Sequence, residues 1–133
     1  MRVLLAGGGT AGHINPAISI ADTIKKNEPD SKFLFVGTQK GMESTLVPKS
    51  GYDIEFIEVS GFKRKLTLEN AVAVLKAMAS WVKCRKIIKN FKPDVVIGTG
   101  GYVSGPLLSA ASMMKIPTLI HEQNVFAGLT TRM

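Results

Sequence analysis

Arg2-Val3-Leu4-Leu5-Ala6-Gly7-Gly8-Gly9-Thr10-Ala11-Gly12-His13 opens the chain and decides its fold. The apolar residues Val3–Ala6 have the length of a buried strand, glycines follow without a break, and a helical pattern begins near His13. A strand that runs through a glycine turn into a helix is the first unit of a doubly wound α/β sheet. It is also where such sheets bind phosphates. Glycines there carry no Cβ, so backbone N–H groups approach an anion closely. The helix adds its unpaired N–H groups and the positive end of its dipole.

Working outward, the same alternation recurs. Arg2–Ala6, Lys32–Val36, Asp94–Gly98 and Pro117–His121 read as short buried parallel strands, and Ile54–Val59 as a weaker, more alternating one. Helices are predicted over about 13–27, 41–49, 67–90 and 104–114, with another opening near 126. This order predicts right-handed crossovers and a Rossmann-like parallel sheet covered on both faces. No repeat, low-complexity tract or linker interrupts it, so residues 1–133 are expected to form a single domain.

A second glycine loop, Thr99-Gly100-Gly101-Tyr102-Val103-Ser104-Gly105-Pro106, follows the strand Asp94–Gly98 and again leads into a helix. Two such loops at the C-terminal ends of parallel strands are predicted to face one crevice. Gly9, Thr10, Ala11 and Gly12 of the first loop, and Gly100, Gly101, Tyr102 and Ser104 of the second, are therefore candidate substrate-binding residues. His13, where the first helix begins, is a candidate to donate to an anion or to take a proton from an attacking hydroxyl. His121-Glu122-Gln123-Asn124 closes the last strand at the same end, making Glu122 a candidate base and Asn124 a candidate donor and acceptor. A dinucleotide-binding sheet also requires an acidic residue closing its second strand. Here that strand ends Val36-Gly37-Thr38-Gln39, which argues against a nicotinamide cofactor.

The net charge of +7 and pI near 9.7 favour anionic partners. Cys84 is the only cysteine, so neither an intrachain disulfide nor a multi-cysteine metal site is available; no metal or other cofactor is expected. Four apolar residues before Gly7 are too few for a signal-peptide core, and a cytoplasmic location is expected. The chain stops at Gly128-Leu129-Thr130-Thr131-Arg132-Met133 with the pattern of a helix in its first turns. A break is expected there, by truncation or by division between two polypeptides.

Together, Gly7–His13, Gly100–Pro106, His121–Asn124 and Ala127-Gly128-Leu129-Thr130 closely resemble the N-terminal domain of the MurG family, in glycosyltransferase family 28. Gly37-Thr38, Met42-Glu43, Leu46-Val47-Pro48, Ile57 to Gly61 and Lys92–Val96 extend the resemblance over essentially the whole chain. It implies the N-terminal, acceptor-binding half of a GT-B enzyme, the C-terminal donor-binding half being absent. The activity implied is inverting transfer of GlcNAc from UDP-GlcNAc to the C4 hydroxyl of lipid I, giving lipid II in peptidoglycan synthesis. By resemblance, Thr10, Ala11, Gly12 and Asn124 map to donor contacts, and His13, Tyr102 and Glu122 to acceptor or catalytic roles. Many members have glycine where this chain has Ala11, which puts a tight backbone contact at that position in question. The alternative from another class is a non-catalytic, acceptor- and membrane-binding subunit of a split GT-B enzyme.

Thr67–Asn90 carries Leu68, Val72, Leu75, Ala79 and Val82 at helical spacing, read as a core-facing stripe, with Val74, Met78 and Trp81 widening it. Lysines and arginines, Lys76 and Lys83 among them, edge the arc. Two readings stand side by side: a wide core stripe, or an apolar patch of Leu75, Met78 and Trp81 resting on an anionic membrane surface. Peripheral attachment to the inner face of the cell membrane follows from the resemblance. Basic residues with so little aromatic interleaving argue against nucleic acid.

Overall fold

The computed structural model describes residues 1–58, 68–101 and 103–121, the side chains of 68–70 and 73 excepted. Among the described residues, five strands alternate with four helices: β1 (Arg2–Ala6), α1 (Ala11–Asn27), β2 (Lys32–Gly37), α2 (Glu43–Lys49), β3 (Asp53–Phe56), α3 (Leu68–Phe91), β4 (Val95–Gly98), α4 (Ser104–Met113) and β5 (Thr118–Ile120). All pairings are parallel, in the order β3-β2-β1-β4-β5. The order reverses between β1 and β4, and ligands of open α/β sheets bind at the C-terminal ends of the strands at such a point.

Period-two alternation along the central strands divides the core into two layers. Val3, Leu5, Phe35 and Ile97 turn to one face, where α1 covers them with Ile14, Ala17 and Ala21, and α2 with Val47. Leu4, Ala6, Val36 and Val96 turn to the other, under Cys84, Ile87 and Ile88 of α3 and Leu107, Ala110 and Ala111 of α4. Burial pushes the Cys84 thiol up to about 12, so this cysteine is core rather than nucleophile.

Two expectations change. Leu119 and Ile120 of β5 are exposed, because this strand is an edge and its side chains join neither core layer. The stripe expected on α3 also has the wrong phase. The face turned to the protein is Ala77, Ser80, Trp81, Cys84, Ile87, Ile88 and Phe91, whereas Val72, Leu75, Ala79 and Val82 are exposed. The leading half of α3 carries apolar residues on every side, so its periodicity is ambiguous there. The trailing half sets the phase.

Length explains why the leading half is uncovered. The 24 residues of α3 span roughly 36 Å at 1.5 Å per residue, against about 20 Å for strands of this kind. A crossover helix runs antiparallel to its strands, so α3 begins at their C-terminal end. Its first turns overhang the sheet on the side where the glycine loops lie.

Candidate functional site

The loops after β1 and β4 meet backbone to backbone. Gly8 donates its N–H to the Gly100 carbonyl at 3.3 Å. A Cβ at Gly101 would stand 2.5 Å from the Gly8 oxygen, and Gly101 has a φ of +89°, so side-chain bulk and conformation both require glycine there. Thr99, buried at the end of β4, donates its hydroxyl to the His13 carbonyl and its N–H to Ala6. The first turn of α1 is thereby clamped to β4.

His13 is fixed from two sides. Its Nδ1 lies 3.1 Å from the Gly8 carbonyl and 3.4 Å from the Thr10 hydroxyl. A carbonyl only accepts, so Nδ1 carries the proton, and in neutral imidazole Nε2 is then the free acceptor. The ring packs over Gly100, where a Cβ would come within 2.7 Å of Cδ2 and 3.0 Å of Nε2. Nε2 therefore stands at the junction of the two loops.

Thr10 is the N-cap of α1 and is extended, with φ −128° and ψ 156°, yet its side chain does not cap the helix. The N–H groups of Thr10, Ala11 and Gly12 donate to no acceptor among the described residues. They sit on the exposed rim of the loop, beside Gly9 at φ +86°. This is a run of free amides at the positive end of a 17-residue helix, an arrangement suited to a phosphate or diphosphate. Ala11 is the first residue of that helix and is absent from the positive-φ positions, so its methyl group is compatible with the loop.

Ser104 differs from the other candidates. It is buried, its hydroxyl lying 2.9 Å from the Gly100 carbonyl and 3.2 Å from that of Ala6 while accepting from the Gly100 N–H at 3.2 Å. It braces the second loop from beneath. Tyr102, Glu122 and Asn124 lie outside the described residues.

A sequence profile described as the glycosyltransferase family 28 N-terminal domain matches residues 3–133. The chain belongs to glycosyltransferase family 28. The family's "UDP-N-acetylglucosamine--N-acetylmuramyl-(pentapeptide) pyrophosphoryl-undecaprenol N-acetylglucosamine transferase" of Caldanaerobacter subterraneus subsp. tengcongensis is 59% identical over 133 residues. The protein of the same name from Acetivibrio thermocellus is 57% identical over 132 residues, 99% of this chain. Among solved structures, MurG of Acinetobacter baumannii superposes with a TM-score of 0.85 at 32% identity, over 98% of this chain and 38% of that one. The chain spans about 36% of the length of these curated relatives.

The α/β Rossmann-like fold is the one seen in the matching part of the Acinetobacter baumannii MurG. Two site residues were not singled out for a role by sequence. Thr99 is the first residue of the second glycine loop as quoted from the sequence, where it carried no role. Glu43, noted only as part of a matching stretch, is buried beneath the first glycine loop at 1% exposure, where its carboxylate accepts the Gly9 and Thr38 N–H groups. A helix-leading glutamate ordinarily reads as surface, so only three-dimensional proximity reveals it.

Beside the loops, a groove of about 500 Å³ opens between the C-terminal ends of β2 and β3 and the flank of α3. Lys76 and Lys83 line it, so the two lysines expected at a membrane border this groove. Leu75 and Met78 are 66% and 61% exposed, and Trp81 is half-buried against the core. Among the described residues, no helix is long and apolar enough to cross a membrane.

Proposed function

We propose that this chain is the acceptor-binding N-terminal domain of an inverting N-acetylglucosaminyltransferase of family 28. It would take GlcNAc from UDP-GlcNAc to the C4 hydroxyl of lipid I. The observation that carries this reading is the pair of locked glycine loops around the uncapped start of α1, with free amides on the rim and Nε2 of His13 at their junction.

In this reading the amides of Thr10, Ala11 and Gly12, with Gly9, Gly100 and Gly101, cradle a diphosphate. As the C4 oxygen attacks C1 of GlcNAc, its proton passes to Nε2 of His13 and UDP leaves, so the anomeric configuration inverts. Nδ1, held by Gly8, keeps the imidazole in the tautomer that this step requires. Glu122 is the second candidate base, and Tyr102 and Asn124 are further substrate contacts. The donor is held mainly by the C-terminal half that such an enzyme needs.

The lipid tail suits the overhanging start of α3. Leu75 and Met78 are exposed at the loop end of the sheet, on a chain of net charge +7. Apolar side chains on a basic domain favour peripheral attachment to anionic lipid.

A titration of the chain with a soluble lipid I analogue tests the reading. Wild type should bind, and His13→Ala should bind about tenfold more weakly, the loss of about 1.4 kcal/mol at the upper end of what one neutral hydrogen bond supplies. A folded wild-type domain with no affinity for the analogue would overturn it.

A further inference from the structure

We propose that Glu43 is a positioning residue for the diphosphate loop, holding Gly9 and Thr38 together from beneath so that the amides of Thr10, Ala11 and Gly12 face outward. This rests on the reading of that loop as a diphosphate cradle.

Glu43 is the first residue of α2, and its side chain runs inward to 1% exposure. One carboxylate oxygen accepts the Gly9 N–H at 3.4 Å, and the other accepts the Thr38 N–H at 3.2 Å. A buried carboxylate is acceptor-only, so it demands convergent donors, and here two loops supply them. The niche is walled by Gly8, Gly37 and Gly41, where a Cβ at any of the three would collide with this side chain. A second tie, from the Gly41 N–H to the Thr38 hydroxyl at 3.2 Å, closes the turn that carries Glu43.

Turning the Gly9 N–H inward fixes the Gly8–Gly9 peptide, and through Gly9 at φ +86° it sets where the next peptide, Gly9–Thr10, points. The Gly9–Thr10 peptide carries the Thr10 N–H, the first of the free amides. Glu43 itself is too buried to touch a ligand, and its negative charge opposes an anion. A purely electrostatic role and a positioning role therefore predict opposite signs on its neutralisation. Without the charge, an electrostatic role gives tighter diphosphate binding. Without the two-loop bridge, a positioning role gives weaker binding, because the glutamine NH2 meets one N–H donor head-on.

The test compares wild type and Glu43→Gln by calorimetry with inorganic pyrophosphate and with a soluble lipid I analogue, alongside amide hydrogen exchange. In the variant, exchange at Gly9 and Thr38 should quicken at least tenfold while the core amides of Leu4 and Val96 stay protected. Affinity for both probes should fall about tenfold. Unchanged or tighter binding by a folded Glu43→Gln overturns the proposal, as does weaker binding with Gly9 and Thr38 exchange unaltered. Should Glu43→Gln not fold, Glu43→Asp carries the same comparison: it keeps the charge but is one methylene too short to reach both loops. Wild type that binds neither probe removes the diphosphate reading as well as this one, whereas wild-type binding with an indifferent variant removes only the role of Glu43.

Discussion

Helices α1 and α3 are both long crossovers rich in apolar residues, and they use them in opposite ways. In α1 the stripe Ile14, Ala17 and Ala21 is wholly buried against the sheet. In α3 only the trailing half, at Cys84, Ile87 and Ile88, is buried. Ala71, Leu75 and Met78 form a line of exposed apolar side chains on its leading half, which Val82 continues just past the middle. Overhang accounts for the contrast, because a helix can bury only what the sheet is long enough to cover. Apolar spacing reports which residues avoid water and leaves open what they meet.

The largest expected effect lies on the α1 side. Ile14→Ala should cost about 3 kcal/mol in urea denaturation, the range for truncating a fully buried aliphatic side chain. The paired change Leu75→Ser and Met78→Ser should lower partition onto anionic phospholipid vesicles by about thirtyfold, since each side chain withdraws about 1 kcal/mol of buried apolar area. The same pair should move stability by less than about 0.5 kcal/mol, as exposed positions do. A loss as large as that of Ile14→Ala would mean that α3 is packed like α1, and the contrast would be gone.

A smaller effect sharpens the α1 side. Tyr52 donates to Asp22 of α1 at 2.5 Å, and its ring lies 5.8 Å from the Lys25 ammonium. Burial, and then the Asp22 carboxylate, push its phenol well above the usual tyrosine range. With the folded value raised, this contribution is complete below about pH 10 and fades as pH rises above it. Tyr52→Phe should cost about 1 kcal/mol at neutral pH and flatten that alkaline decline in denaturation midpoints. An unchanged alkaline slope would sink the assignment.

Much of the fold was legible because period and punctuation agreed. β1 runs Arg2–Ala6 as the apolar run indicated, and every expected helix within the described residues is present to within two residues at its ends. Where the two signals separated, reading failed. The leading half of α3 has apolar residues on all sides and so no phase, and β5 has a core-strand composition at an edge position. The site was half legible. Glycines announce themselves because they alone take a φ such as that of Gly101, and His13 stands beside them in the chain. Glu43 and Thr99 act across 34 and 86 residues of sequence, and no local pattern marks such a contact.

The cradle at the start of α1 consists of main chain. Amides measure charge and spacing but carry no signature of sugar, peptide or lipid, so under the proposed reading any diphosphate of suitable shape would be an equal guest there. Discrimination among acceptors has to be written in side chains around the rim. The rim can diverge between relatives while Gly8 and Gly101, pressed together, cannot. Divergence of substrate in this fold should therefore be sought at its borders, with the centre left unchanged.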